Sequence, residues 1–297
     1  MKRRWLTAVA LGGAVVLALT GCVAPPAGTD GDLVDDWATI SAPAAFTPEA
    51  GTCHAHVARV GYLGAYDPVP CERPHRVETL HVGTLTGAAA KERTPPSPGS
   101  AGMRTAHATC DREATRALGA DWRSGRVGLS VVFPSPAAWT GGARWFRCDG
   151  AEIRSMDDPS VVTRTAGLGR SLAGSSPLRH TCFNPSLKDD RVTRMTPVSC
   201  TRPHHAEFVG VWVAPDTSYA AFTKDDRRVR DGCLALIATY TKVPRGEVRF
   251  RTGSIWYHPL AAEWRDGNRG VQCFLWVSDR DLTRSMKGAG RSGLPMG

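Results

Sequence analysis

The sequence predicts an α+β chain of two tandem disulfide-stapled domains, each a helix packed on a small, mostly antiparallel sheet. Three observations carry this. Cysteines fall in two sets of four with similar spacing. The residues around them recur in the same order. Each set also frames strand-like text on either side of a helix-like stretch.

The cysteines come first. Of nine, Cys22 stands apart, and the rest are Cys53, Cys71, Cys110 and Cys148, then Cys182, Cys200, Cys233 and Cys273. The first two of each set are 18 residues apart, and the later gaps are 39 and 38 against 33 and 40. Similar spacing in two successive sets is the mark of an internal repeat. The neighbouring residues agree. A C-x-R-P-H-x-x-E pattern spans Cys71 to Glu78, with His75, and recurs from Cys200 to Glu207, with His204. A P-x4-W-x8-C pattern joins Pro134, Trp139 and Cys148, and again Pro259, Trp264 and Cys273. An even cysteine count in an exported chain implies a disulfide framework. Equal 18-residue gaps favour first-with-second and third-with-fourth pairing, although four cysteines allow three pairings. Without a C-x2-C pair, zinc and thioredoxin-like chemistry are disfavoured, and no metal or other cofactor is expected.

The secondary structure follows from periodicity. Met103, Ala106, Cys110, Ala114, Ala117 and Leu118 recur at helical spacing, after Pro95, Pro96 and Pro98 and before Gly119. Phe222, Val229, Cys233, Leu236, Ile237 and Tyr240 do the same in the second set. Strands are expected at 76–82, 127–133 and 144–148, and at 206–213, 248–257 and 270–277. Each unit reads β-β-α-β-β, and at roughly 100 residues can bury its own core. The expected divisions are 1–21 a signal peptide, 22–50 an acidic tether, 51–156 the first repeat, 157–177 a Gly/Ser-rich linker, 178–284 the second repeat and 285–297 a flexible tail.

The N-terminus reads as an export signal. Lys2, Arg3 and Arg4 precede an apolar run from Trp5 to Leu19. That run is short for a transmembrane helix, which needs about 20 apolar residues. Leu19-Thr20-Gly21-Cys22 resembles the bacterial lipobox. The resemblance implies acylation of the Cys22 thiol, cleavage before it, and stable anchoring to the outer face of the plasma membrane. Cleavage there leaves 34 basic and 28 acidic residues. The segment from Cys22 to Ala50 has no Lys or Arg but carries Asp30, Asp32, Asp35, Asp36 and Glu49. It reads as a tether spanning on the order of 30 Å. The rest of the chain is strongly basic. Outside a membrane this points to an anionic envelope component or a protein partner, and not to nucleic acid.

The paired C-x-R-P-H-x-x-E and P-x4-W-x8-C segments resemble the bacterial septum-formation domain family over most of the chain from Thr52 to Val277. That resemblance implies an envelope protein acting in division, with no defined catalytic residues. The expected function is therefore a lipid-anchored binding or scaffolding module in septum formation or envelope growth. An envelope hydrolase using His75, Glu78, His204 and Glu207 is the alternative, and an accessory subunit of a membrane protein is a third.

The candidate residues each have a plainer reading. On a strand, residues three apart point to opposite faces, so His75 and Glu78 would not meet. They and their counterparts are expected to be structural, with the histidine held by a hydrogen bond after the proline turn. Trp139 and Trp264 are expected to plug the core rather than stack on a ligand. Arg144, Arg147, Arg265 and Arg269 read as a solvated surface. No G-x-S-x-G, H-E-x-x-H, S-x-x-K or phosphate-loop motif occurs.

Overall fold

The computed structural model describes residues 46–189 and 191–296. The signal segment, Cys22 and most of the tether lie outside the described residues. Residues 45–297 form one compact unit.

Two five-stranded antiparallel sheets organise that unit. The first contains β1 (Cys53–His54), β2 (Pro68–Val69), β3 (Val77–Thr84), β4 (Val127–Val132) and β5 (Trp145–Glu152). The second contains β6 (Cys182–Lys188), β7 (Arg191–Val198), β8 (Ala206–Val213), β9 (Gly253–Tyr257) and β10 (Gly270–Trp276). Their orders are β2-β1-β3-β5-β4 and β7-β6-β8-β10-β9, the same path through both halves. A bulge recurs too. Thr79 and His81 pair with consecutive residues of β5, and Phe208 and Gly210 with consecutive residues of β10, leaving Leu80 and Val209 as the extra residues.

A long helix packs on each sheet. The first, Ala101–Leu118, starts where the Ser100 side chain accepts from the Met103 N–H, and ends at Gly119 in the left-handed region. Ala106, Cys110, Ala114 and Leu118 are buried, one per turn. The second, Asp226–Thr241, buries Val229, Cys233 and Ile237. Phe222 belongs to a separate short helix, Tyr219–Phe222. Disulfides Cys110–Cys148 and Cys233–Cys273 fasten each helix to the interior strand β5 or β10. Cys53–Cys71 and Cys182–Cys200 fasten the first strand of each sheet to the turn before β3 or β8. Closing an 18-residue loop in this way stabilises by about 3 kcal/mol.

Besides the placement of Phe222, the architecture differs from the sequence expectation in three places. Each half has three strands before its helix, not two. The stretch 248–257 splits into a helical turn, Arg245–Val248, and a strand that starts at Gly253. The segments expected to be a linker and a flexible tail are packed. Leu168 and Leu172 complete the first core, and Met286 and Leu294 complete the second.

The halves also touch. Arg123 is buried at the junction, where its Nε donates to Asn268 Oδ1 at 2.9 Å and its guanidinium lies 2.6 Å from Asp111. Gln272 Nε2 donates to the Arg123 carbonyl at 2.7 Å.

Candidate functional site

Both C-x-R-P-H segments make the same turn. The N–H of Arg73 donates to the Pro70 carbonyl, and that of Arg202 to the Ser199 carbonyl, each at 2.9 Å. Proline follows, and the histidine ring folds back. Nδ1 of His75 donates to the Arg73 carbonyl, and Nδ1 of His204 to the Arg202 carbonyl, both at 2.8 Å. A carbonyl can only accept, so the geometry puts a proton on Nδ1 in each ring. The histidine backbone then pairs with a segment far downstream. His75 exchanges hydrogen bonds with Arg164, and His204 with Leu282. Four residues further on, the same segment caps the motif glutamate: the Leu168 N–H donates to Glu78, and the Met286 N–H to Glu207. Each His/Glu pair is thus closed by a strap from the end of its own half.

The pairs differ in how fully they are satisfied. Glu207 is wholly buried and also accepts from Tyr240 Oη at 2.8 Å and Ser285 Oγ at 3.1 Å. His204 Nε2 lies 3.0 Å from Glu207 Oε1, within hydrogen-bond distance. Burial, and then the charge on Glu207, push the Tyr240 hydroxyl above its ordinary range. In the first half Glu78 is 8% exposed, and His75 Nε2 is buried with no hydrogen-bond partner among the described residues. The expectation that residues three apart on a strand cannot meet fails for His204 and Glu207. Strand β8 begins only at Ala206, so the histidine precedes it and its ring swings across to the carboxylate.

This donor set does not fit a metal. Cys182, His204 and Glu207 offer ligand atoms within 4.8 Å of one another, as do Cys53, Cys71 and Glu78. The cysteines are all disulfide sulfurs, however, which lack the thiolate that binds metal. Glu207 is already surrounded by donors.

The tryptophans are core residues. Trp139 and Trp264 are buried, with indole N–H groups donating at 2.8 Å to the carbonyls of Glu92 and Thr217. The guanidiniums of Arg144 and Arg269 stack over them, each 4.2 Å from a ring centroid, and donate to the tryptophan carbonyls. These arginines are therefore not the solvated surface that the sequence suggests. Arg147 is not either: it is buried 3.0 Å from Asp149. Of the four, Arg265 is exposed.

Arg147 belongs to a polar cluster on the sheet face away from the helix. Thr79 Oγ1 donates to Asp149 Oδ1 at 3.0 Å, and His54 Nε2 lies 3.1 Å from Thr79 Oγ1. Burial raises the Asp149 carboxyl to about 6 against the opposing pull of Arg147. Burial, and then Arg147, lower His54 to about 4. The positions matching His54, Thr79 and Asp149 are Phe183, Phe208 and Phe274, and the first two ring centroids lie 5.6 and 5.4 Å from that of Phe274, while Arg147 is matched by Gln272. Alternation around Cys148 does place Arg147 and Asp149 opposite the disulfide, so this signal was readable.

The fold and site define a class: a disulfide-stapled α+β protein with two topologically alike halves, each closed by a strap over a buried His/Glu motif. Its four disulfides fit an extracytoplasmic domain, and no helix among the described residues is long and apolar enough to cross a membrane. The chain belongs to the septum-formation family, whose model, described as "Septum formation", matches residues 50–273. That single match runs through both halves, so it covers the pair and does not by itself count two copies of the family domain. No curated protein and no solved structure matches the chain at a significant level.

Proposed function

We propose that this protein is a lipid-anchored, non-catalytic binding or scaffolding module that acts in septum formation on the outer face of the bacterial plasma membrane. Family membership supports the septal role. One observation supports a non-catalytic reading above the others: the repeated histidines and glutamates are buried and hydrogen-bonded to their own chain. A group of that kind holds a fold together. A general acid or base must reach a substrate proton. The lipobox-like Leu19-Thr20-Gly21-Cys22 supports the anchor, and the basic body supports an anionic or protein partner.

Two measurements test this. Metabolic labelling with an alkyne palmitate should mark the wild-type chain and not a Cys22→Ser variant; equal labelling would remove the anchor from the reading. Imaging in dividing cells, with a tag that matures outside the membrane, should show enrichment at midcell. An even peripheral signal would refute the septal role.

A further inference from the structure

A second candidate site lies where the halves meet. A cleft of about 900 Å³ opens between residues 120–124 and 179–181 on one side and β8, the second helix and residues 285–288 on the other. Val209, Val211 and Leu236 give it an apolar wall, while Arg179, Lys242 and Lys287 bring positive charge. Asp121 is the acidic residue lining it, and its Oδ1 accepts from the side chain and N–H of Arg123. Ion pairs elsewhere in the second half join Arg251 and Arg291 to Glu247, and Arg280 to Asp279. None among the described residues takes Lys242 or Lys287. His180 also lines the cleft, buried, with Nε2 unpartnered among the described residues.

Comparison of the halves shows that this charge is specific to the second. Nine residues after the third cysteine of each half, the helix ends in the left-handed region. In the first half the residue there is Gly119, at φ 83°; in the second it is Lys242, at φ 63°. Glycine takes that conformation freely and lysine seldom does. One residue after each glutamate-capping N–H stands Gly169 in the first half and Lys287 in the second. Both lysines thus occupy positions that hold glycine in the other half, one of them in a disfavoured backbone conformation, and both line the same cleft. Arg170 and Asp189 also take left-handed backbone, so it is the joint placement of the two lysines on one cleft that marks it.

We propose that this cleft binds a phosphate ester carrying an apolar chain. The phosphate sits among Arg179, Lys242 and Lys287, and the chain lies along Val209, Val211 and Leu236. A phosphate takes charge-assisted hydrogen bonds from lysine and arginine, and the aliphatic wall suits an alkyl group. This extends the binding role proposed above but is tested separately: binding in vitro reads the cleft, whereas imaging reads the place of action.

The test uses residues 45–297, the compact unit, with octyl phosphate below its micelle concentration, followed by calorimetry. Inorganic phosphate supplies the charge alone, and octyl glucoside the chain alone. Octyl phosphate should bind at least about tenfold more tightly than either. The double variant Lys242→Gly, Lys287→Ser should fold, since glycine suits the left-handed position, and should lose roughly tenfold or more in affinity. A control of equal charge loss on exposed lysines elsewhere, Lys91→Ser with Lys224→Ser, should stay within about twofold. Competition by phosphatidylglycerol vesicles, and not by phosphatidylcholine vesicles, would identify a membrane lipid as the source of the ester; competition by neither would assign the cleft to a diffusing one. Octyl glucoside or inorganic phosphate binding as tightly as octyl phosphate would overturn the proposal. So would a cleft variant that binds like the wild type, or a control that loses as much.

Discussion

Replacing Glu207 by glutamine should cost far more than the same change at Glu78, although the two occupy matching positions. Glu207 is wholly buried and takes hydrogen bonds from Tyr240, Ser285 and the Met286 N–H, with His204 Nε2 at 3.0 Å. Hydrogen bonds to a charged group contribute about 1.5–3 kcal/mol each, against about 0.5–1.5 for neutral ones. Neutralising the carboxylate therefore weakens four contacts by about 1 kcal/mol apiece. It also turns Oε1 into an NH2, which can donate to His204 Nε2 but which the Met286 N–H cannot use. Hydroxyl rotation recovers part of this, so the net loss for Glu207→Gln should be about 3 kcal/mol. Glu78 takes the Leu168 N–H, which a glutamine oxygen also accepts, and no other hydrogen-bond donor among the described residues. Its loss should be about 1 kcal/mol or less. Guanidinium denaturation of both variants under oxidising conditions, with a thiol assay confirming four intact disulfides, measures the difference. Equal losses, or a greater loss at Glu78, would show that the hydrogen bonds around Glu207 do not carry the stability assigned to them.

Other predictions follow from buried groups elsewhere. His180 is held down to about 4 by burial, and then by Arg126. Its native pKa is thus below the unfolded value near 6.5, so its contribution is present above pH 6.5 and lost as pH falls toward 4. Between pH 7 and 5 the loss is about 2 kcal/mol; His180→Phe, which suits the ring contacts with Phe183, Phe208 and Phe274, should remove it, as read from denaturation midpoints at both pH values. Asp149 works in the opposite sense, because its raised native pKa favours proton uptake, so Asp149→Asn should steepen the acid loss between pH 6 and 4. Trp139→Ala and Trp264→Ala should each cost about 3–5 kcal/mol of stability; folding that is unchanged would instead make them surface platforms. Arg123→Ala removes the guanidinium that links Asp111 to Asn268 across the junction and should turn one calorimetric unfolding transition into two, with the halves unfolding separately.

What could be read from the sequence was mostly covalent chemistry and its close surroundings. The paired cysteines and the histidine turn lie in short, repeated strings, so letters alone locate them. Strands β1 and β2 are two residues long and have no period to detect. Strands β6 and β7 contain Pro185 and Pro197, which read as breakers, yet β7 is an edge strand and β6 meets β8 only at Cys182 and Phe183. The straps were obscured by their glycines and serines, although Leu168 and Leu172 stand one helical turn apart in letters. Apart from His204, three residues away in the same motif, the partners of Glu207 lie 33–79 residues away in sequence, and no local pattern connects them. The sheet face opposite the helix is polar in one half and aromatic in the other, so similarity between the halves could not have announced the Asp149 cluster.

The position of each strap also bears on the order of assembly. A chain made from its N-terminus presents Glu78 about 90 residues before Leu168 can cap it, and Glu207 about 80 before Met286. Until then a carboxylate destined for the interior has no backbone donor, and the core beneath it lacks its last leucine or methionine. A chain cut short before residue 282 would keep all eight paired cysteines yet leave the second half unsealed. Correct disulfides would therefore not certify a finished molecule, and protease resistance of the segment 282–294 would be the better criterion.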